Sequence, residues 1–241
     1  MVIFGINPVL EALRAGGVTR LRVSARADAR LNEVLAQAAA RRLGVERVEA
    51  AVLDRAARGG VHQGVVADVD VRDYSMADLL RPPHAAPHTP LIVVLDGIED
   101  PHNAGAIIRT ADAVGADGVV RQARHAAALD GVVAKASAGA IAHVKVATVV
   151  NIARAIEELR QAGVWSVGLA HDAPEMYTAH DFRLPTALVL GAEGTGLRRL
   201  VRERCDRLVR IPMRGGVSSL NVSVAAGVVL YEAVRQRNVR S

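Results

Sequence analysis

Residues 187–203 read ALVLGAEGTGLRRLVRE, which is a short apolar run, a glycine-rich turn and a second stretch with apolar residues at helical spacing. A continuous apolar run of this length is typical of a strand that is buried on both faces. Units of strand, loop and helix build mostly parallel sheets with helices on both faces. The same order recurs from residue 91 onward. It predicts strands at 91–95, 118–121, 164–170, 187–190 and 208–211, and helices at 104–114, 130–137, 152–162, 197–203 and from 220 onward.

A proline cluster separates this region from a smaller first part. Proline fixes φ and lacks an N–H donor, so a proline-rich stretch without apolar periodicity is typical of a linker. The prolines at 82, 83, 87 and 90 predict an unpacked linker at 73–89, between a small domain at 1–72 and a large domain at 90–241. The small domain is predicted to be α/β, with a helix that Asn7 caps and Gly16 ends, a helix at 31–43 ended by Gly44, and strands at 21–24, 45–49 and 64–69.

Composition excludes several classes of protein. The chain of 241 residues is 51% hydrophobic, but no apolar run reaches the ~18 residues of a membrane span. The start, MVIFGINPVLE, lacks the pattern of a signal peptide, and we expect a cytoplasmic protein. Cys205 is the one cysteine, which excludes an intrachain disulfide and a paired-cysteine metal site, and no metal is expected.

The charge is basic and comes almost entirely from arginine. The net charge is +5, and among the 30 basic residues only Lys135 and Lys145 are lysines. A G- and C-rich genome explains such a skew, and so does a nucleic-acid partner, because guanidinium groups bind phosphates and stack on bases. Residues 198–214 contain seven arginines against Glu203 and Asp206, and this segment is predicted to form an anion-binding face.

Ligands of parallel α/β sheets lie at the carboxyl ends of the strands, so the loops there are candidates for the site. In the first loop, Asn103 can cap the following helix and Arg109 lies on its next turns. One interpretation is a cap together with a surface ion pair from Arg109 to Asp112 or Asp100. The other is an amide and a guanidinium directed at an anionic or hydroxylic substrate.

The second loop contains Gly191, Gly194 and Gly196, which suggest a backbone that approaches a cofactor. The order G-x-x-G-x-G is the reverse of the dinucleotide fingerprint, and no P-loop lysine follows, so a dehydrogenase or kinase is disfavoured. Glu193 is either a free loop carboxylate or one that holds an amide or a ribose hydroxyl.

The third loop precedes the last helix. Gly215 and Gly216 form a turn, Ser219 is predicted to cap the helix, and Asn221 is predicted to lie in its first turn. Residues 222–230 are apolar on every side, so this helix must be covered all round. A homodimer seam explains this, and so does burial within one chain.

Together these loops resemble a known family. Residues 91–237 resemble the SPOUT class of RNA methyltransferases, specifically the TrmH type that methylates a ribose 2′-hydroxyl, through DPHNAGAIIRTA, KASAGA, LVLGAEGTGL and IPMRGGVSSLNVSVAA. FGINPVLEALR and HQGVV in the first part resemble the small L30e-like α/β domain of members that modify a guanosine in the peptidyl-transferase region of large-subunit ribosomal RNA. Related enzymes act on a transfer RNA guanosine or another ribosomal nucleotide, and these targets stay open.

The resemblance implies a parallel sheet tied into a trefoil knot, S-adenosylmethionine as the cofactor, RNA and not DNA as the partner, and an obligate homodimer with the last helix in its interface. It implies catalytic roles for Asn103, Arg109, Glu193, Ser219 and Asn221. It implies cofactor contacts from Gly191, Glu193, Gly196, Ile211, Met213, Ser219 and Leu220.

An arginine is a poor base, so we expect Arg109 to clamp a phosphate and stabilise the developing alkoxide, while the proton leaves to phosphate or water. His102 is an alternative base. Glu193 is expected to orient Asn103 or Arg109, with Ser219 and Asn221 fixing the loop and the ribose.

Two further expectations concern RNA. The chain has 2 phenylalanines, 1 tryptophan and 3 tyrosines, so contacts from arginine are expected rather than stacking on aromatic rings. The stretch after residue 120, RQARHAAALDGVVAK, is more charged at its start than a strand end usually is, which leaves local target recognition open. A non-catalytic RNA-binding assembly factor would be expected to lose Asn103, Arg109, Glu193 or Asn221, and all four are present.

Overall fold

The computed structural model describes residues 1–26, 28–70, 72–81 and 88–238. Residues 2–69 form a mixed four-stranded sheet in the order β1-β4-β2-β3. Strand β4 is antiparallel to β1 and β2, and β2 is parallel to β3. The strands are β1 Val2–Phe4, β2 Val18–Ser24, β3 Val45–Val48 and β4 Val65–Val69, and the helices are α1 Ile6–Ala15, α2 Asn32–Ala40 and α3 Ala50–Ala57.

The predicted α/β character of this part is confirmed, with corrections at the helix ends. Helix α1 begins at Ile6 after Gly5, whose φ is 93°, so Asn7 is not its cap. Gly16 does end α1 in the left-handed conformation. Helix α2 stops at Ala40, and Arg42 rather than Gly44 adopts a positive φ, of 55°. Strand β1 and helix α3 were not predicted, because both are shorter than the periodic patterns that identify an element.

The segment predicted to be an unpacked linker contains a helix, α4, at Met76–Leu80. Ser75 and Asp78 form a capping box that satisfies donors at its start. Leu79 is only 1% exposed and packs against the second sheet. The expectation of an unpacked stretch is therefore wrong for this helix, while residues 82–87, which include three of the four prolines, lie outside the described residues.

The second sheet has seven strands in the order β7-β6-β5-β10-β8-β11-β9, and every pairing is parallel. The parallel α/β architecture predicted from the sequence is confirmed. The strands are β5 Leu91–Asp96, β6 Gly118–Gln122, β7 Val146–Val149, β8 Trp165–Leu169, β9 Glu175–Met176, β10 Thr186–Gly191 and β11 Arg207–Arg210. The helices are α5 Pro101–Ala113, α6 Gly131–Ala136, α7 Ile152–Gln161, α8 Arg199–Arg204 and α9 Val222–Asn238.

Two apolar layers cover the two faces of this sheet. Val93 and Leu95 of β5 face α5 and α9, whereas Ile92 and Val94 face α7 and α4. Every residue of β5 and β10 is buried, as expected for central strands of a doubly covered sheet. Strands β7 and β9, of four and two residues, were not predicted. The trefoil knot stays a prediction.

Helix α6 joins the two sheets. A Cβ atom on Gly131 would lie 2.4 Å from the ring of Phe4 in β1, so the two elements are in close contact. Lys135 donates a hydrogen bond of 3.2 Å to the Val61 carbonyl. The small sheet is therefore docked on the second sheet through α6.

The last helix is covered on one face only. Ala226, Val229 and Leu230 are buried against α5 and the sheet, while Val224 and Tyr231 are 52% and 55% exposed. The prediction that α9 is covered all round is therefore not met within a single chain. Among the described residues, no helix combines the length and the apolar character that crossing a membrane requires.

Candidate functional site

Three loops meet at the carboxyl edge of the seven-stranded sheet and enclose a cavity of about 460 Å³. The loops follow β8, β10 and β11, and the sequence indicated the last two of these. The loop after β5, which the sequence also indicated, does not line this cavity. All seven residues predicted to contact a cofactor line this one cavity, namely Gly191, Glu193, Gly196, Ile211, Met213, Ser219 and Leu220. The cavity has the size of a pocket for a small organic cofactor, and its lining combines glycines and apolar side chains with polar ones.

Asn103, Glu193 and Asn221 form a hydrogen-bonded cluster at the rim of the cavity. Glu193 Oε1 accepts 2.8 Å hydrogen bonds from Asn103 Nδ2 and from Asn221 Nδ2. Asn221 Nδ2 also donates to Asn103 Oδ1 at 3.0 Å. The cluster links the loop after β10 to the first turn of α5 and to the residue before α9. Glu193 is therefore bonded to two amides and is not a free loop carboxylate.

The caps of two helices direct the amides into this cluster. Asp100, rather than Asn103, caps α5, and its carboxylate accepts from the backbone of His102 and Asn103 at 3.1 and 3.3 Å. Asn103 therefore keeps its side chain free for Glu193, and only 6% of it is exposed. Asn221, rather than Ser219, caps α9, since its Oδ1 accepts from Ser223 N at 2.9 Å while its Nδ2 reaches the cluster.

The glycines of the second loop allow its two ends to lie in direct backbone contact. A Cβ atom on Gly191 would lie 2.2 Å from the carbonyl carbon of Gly196. Ala192 and Gly196 exchange backbone hydrogen bonds of 3.1 and 2.9 Å across the turn. Gly194 and Gly196 have positive φ of 77° and 68°, which other residues rarely adopt. The glycine spacing is therefore required by a tight turn that presents Glu193.

An ion pair between a buried aspartate and a half-exposed arginine anchors that turn, and the sequence analysis did not identify it. Asp96 is fully buried at the end of β5, and it accepts hydrogen bonds from Arg198 N at 2.8 Å and Arg198 Nε at 2.6 Å. Arg198 also donates to Gln122 Oε1 at 2.6 Å. Two features of the sequence could have identified this pair. Asp96 directly follows the apolar run 91–95, and Arg198 comes two residues after Gly196, the last glycine of the turn.

Arg109 lies apart from the cluster. It is exposed on α5 and lines neither cavity at this edge. Six residues of helix separate it from Asn103, a rotation of about 240° around the helix axis. The predicted ion pair with Asp112 or Asp100 is not found among the described residues. Within one chain the structure brings together four of the five predicted catalytic positions and leaves Arg109 outside.

The arginine-rich segment at 198–214 is largely neutralised, which corrects the prediction of an anion-binding face. Arg210 donates to the carbonyl oxygens of Ala173 and Pro174. Of the seven arginines, only Arg214 has no hydrogen-bond or ion-pair partner in the described part of the chain. The carboxylate pairs are Arg198–Asp96, Arg199–Glu203, Arg202–Asp172, Arg204–Glu157 and Arg207–Glu175.

A second cavity of about 620 Å³ lies on the other side of the Glu193 turn. Asn103, Glu99, His125 and Arg198 line it, and it shares Ala192, Glu193 and Thr195 with the first. The amide and carboxylate cluster thus stands between two cavities. Amide N–H donors and a carboxylate acceptor at such a junction can hold a hydroxyl group of one ligand against a second ligand.

Comparisons with known proteins agree with this geometry. Residues 90–231 match the SpoU rRNA methylase family, and residues 2–75 match the RNA 2′-O ribose methyltransferase substrate-binding family. The 23S rRNA (guanosine-2′-O-)-methyltransferase RlmB of Pseudomonas syringae pv. tomato is 44% identical over 99% of this chain and 96% of the relative. RlmB of Yersinia pestis is 42% identical over 100% of this chain and 99% of the relative.

Solved structures show the same architecture. The AdoMet-bound rRNA methyltransferase from Sinorhizobium meliloti is similar with a TM-score of 0.80 at 29% identity, over 100% of this chain and 88% of that one. The SpoU methyltransferase AviRb from Streptomyces viridochromogenes, in complex with AdoMet, has a TM-score of 0.80 at 30% identity, over 98% and 90% of the two chains. The chain belongs to the SpoU rRNA methylase family and is an S-adenosylmethionine-dependent RNA methyltransferase.

Proposed function

We propose that this methyltransferase modifies the ribose 2′-hydroxyl of a guanosine in the peptidyl-transferase region of 23S ribosomal RNA. The observation that carries the proposal is the cluster of Asn103, Glu193 and Asn221 between two cavities. The relatives named for this reaction match the chain almost from end to end, including the small domain. A ribosomal RNA substrate also favours the cytoplasm as the place of action.

The cavity of about 460 Å³ is the proposed cofactor site. Its walls fit S-adenosylmethionine, because apolar side chains can cover the adenine while backbone groups of the last two loops hydrogen-bond its edges. Gly191, Gly196, Ile211 and Leu220 would supply the backbone wall, with Glu193, Met213 and Ser219 around it. Bound there, the cofactor supplies a methyl group on a positively charged sulfur.

The chain's own part is to position the hydroxyl and accommodate its charge. A ribose 2′-hydroxyl is a very weak acid, so alignment with the methyl group and stabilisation of a developing alkoxide must supply most of the acceleration. Asn221 and Ser219 would hold the ribose, and Glu193 would hold both amides in place. The proton would leave to phosphate or water.

Arg109 is proposed to act across a homodimer interface. It lies outside the cluster of its own chain, and the apolar face of α9 with Val224 and Tyr231 is exposed in a single chain. A second copy seated on α9 would cover this face. Arg109 of the partner subunit would then clamp the phosphate beside the target ribose and stabilise the alkoxide, as its fixed charge allows.

The test is incubation of the purified protein with tritiated S-adenosylmethionine and, in parallel, unmethylated 23S ribosomal RNA and transfer RNA. Mass spectrometry of resistant fragments after alkaline cleavage locates any 2′-O-methyl group. We expect label on one 23S guanosine, and none with Arg109→Ala. Label on transfer RNA alone would overturn the target, and cofactor binding without label on either RNA would favour a non-catalytic assembly factor or an assembly intermediate as substrate.

A further inference from the structure

Arg121 is a basic side chain without a counter-charge at the edge where the site lies. It is the fourth residue of β6, and its neighbours in register are Leu95 of β5 and Thr148 of β7. Its Nε atom is buried and has no hydrogen-bond partner among the described residues. Burial lowers the pKa of its guanidinium, and no carboxylate offsets that effect.

This arrangement is unfavourable in the chain by itself. Removing a cation from water without pairing it destabilises the fold, and buried charges are normally paired. Arg198 shows the normal arrangement two strands away, where Asp96 takes its charge. An unpaired, partly buried cation at the carboxyl edge of a parallel sheet points to an anionic ligand.

Two more basic residues follow Arg121 in the same loop. Arg124 is exposed and has no ion pair in the part of the chain that the structure describes. His125 has a φ of 54°, and its Nδ1 lies 3.3 Å from the exposed carboxylate of Glu99. His125 also lines the cavity of about 620 Å³ that contains Asn103 and Glu193. The loop therefore borders the space next to the hydrogen-bonded cluster.

We propose that Arg121, Arg124 and His125 form a phosphate-binding site for the RNA strand next to the target nucleotide. The inference rests on the proposed function, because it assumes that the target ribose lies at Asn103 and Glu193. With the ribose there, the strand continues past the loop after β6. Its phosphodiesters supply the negative charge that Arg121 lacks, and guanidinium groups bind phosphate through two parallel hydrogen bonds. The site positions the strand and reads no base.

The test compares full-length Arg121→Met, Arg121→Lys and Arg124→Gln with Arg199→Gln as the control. Arg199 is an exposed arginine paired with Glu203, so the control removes the same charge elsewhere on the surface. The probe is an unmethylated 23S fragment that contains the peptidyl-transferase region, with binding measured over a range of salt concentrations. Each lost phosphate contact should lower the slope of log K against log salt by about 0.7–0.9.

We expect Arg121→Met and Arg124→Gln to weaken RNA binding by about tenfold and to flatten this slope. Arg121→Lys should retain most of the affinity, and the Kd for S-adenosylmethionine should not change. Arg121→Met should also unfold at an equal or higher urea concentration than wild type, because it removes an unpaired buried charge. If Arg121 served only to stabilise the fold, Arg121→Met would unfold at a lower urea concentration than wild type.

RNA affinity and slope equal to wild type in both Arg121→Met and Arg124→Gln would overturn the proposal. A lower urea midpoint for Arg121→Met would overturn it for Arg121 and assign that residue a structural role. These results are separate from the proposed function, which fails if the wild-type protein methylates no RNA while its RNA binding still depends on Arg121.

Discussion

Two basic regions of this methyltransferase use arginine in opposite ways. Between residues 198 and 207 each arginine forms an ion pair with a carboxylate. Carboxylates of the same chain therefore neutralise most of the +5 charge of the segment 198–214. The second region consists of Arg109 and the loop at 121–125, and it contains fewer arginines. None of its three arginines, Arg109, Arg121 and Arg124, has a carboxylate partner in the described parts of the chain. The difference teaches that the number of arginines does not locate a nucleic-acid surface. We propose that arginines without a partner in the chain, where they lie beside the site, locate it instead.

The largest effect that this comparison predicts is loss of catalysis in Arg109→Ala. An unpaired arginine that stabilises the transition state should lower kcat about 100- to 1000-fold when removed, with an unchanged Kd for S-adenosylmethionine. Methylation of the 23S fragment under single-turnover conditions measures it.

Mixing Arg109→Ala with Glu193→Ala tests whether Arg109 acts across the dimer. Each mixed dimer would contain one site with both residues intact, so activity should return to about a quarter of wild type. No recovery in a mixture that exchanges subunits would show that Arg109 acts within its own chain.

Within the paired region, the effect of a substitution on stability should depend on how deeply the carboxylate is buried. Asp96→Ala removes a fully buried carboxylate that accepts from the backbone and side chain of Arg198, and it should reduce the free energy of unfolding by about 2 kcal/mol. Arg199→Gln breaks an exposed pair and should change it by less than about 0.5 kcal/mol. Urea unfolding followed by circular dichroism measures both, and similar values for the two variants would contradict the distinction between a buried and an exposed pair.

The exposed face of α9 should control the dimer that brings Arg109 into place. Tyr231→Asp would bury a carboxylate in the proposed interface and should weaken dimerisation at least about tenfold. Leu200→Asp is the control, since Leu200 is 45% exposed on α8, which packs with α7 on the opposite face of the sheet from α9. Sedimentation velocity distinguishes the two. A Tyr231→Asp protein that dimerises like wild type would place the interface elsewhere.

The smallest expected effect is on the chemical reactivity of Cys205, which directly follows α8 in the paired region. Burial raises the pKa of its thiol to about 12, and the nearby Asp206 and Asp96 add to that effect. The reactive thiolate is therefore scarce at pH 8, and iodoacetamide should label the folded protein much more slowly than the urea-unfolded one. Equal rates would show that this region is open to solvent.

The sequence predicts the main architecture because its signals are local. Buried strands such as β5 and β10 are apolar throughout, and each is followed by a loop and a helix. Helix α4 and strand β1 escape prediction because their stability comes from packing on distant parts of the chain, not from a periodic pattern.

The site is predicted in part for a similar reason. Asn103, Glu193 and Asn221 are recognisable from family motifs, but their mutual hydrogen bonds join residues 90 and 28 positions apart. Caps are misassigned by two or three residues, as at Asp100 and Asn221, because several residues near a helix start could serve. Ion pairing is non-local as well, so the sequence could not show that Arg202 would meet Asp172.

The most direct test of the account is the effect of Asn103→Ala on two quantities measured with the same protein. Asn103 lines the second cavity but not the proposed cofactor cavity. We predict that the Kd for S-adenosylmethionine, measured by calorimetry, stays within about threefold of wild type, while 2′-O-methylation of the 23S guanosine falls about 100-fold or more. Methylation at the wild-type rate would contradict the claim that the cluster of Asn103, Glu193 and Asn221 positions the reacting ribose.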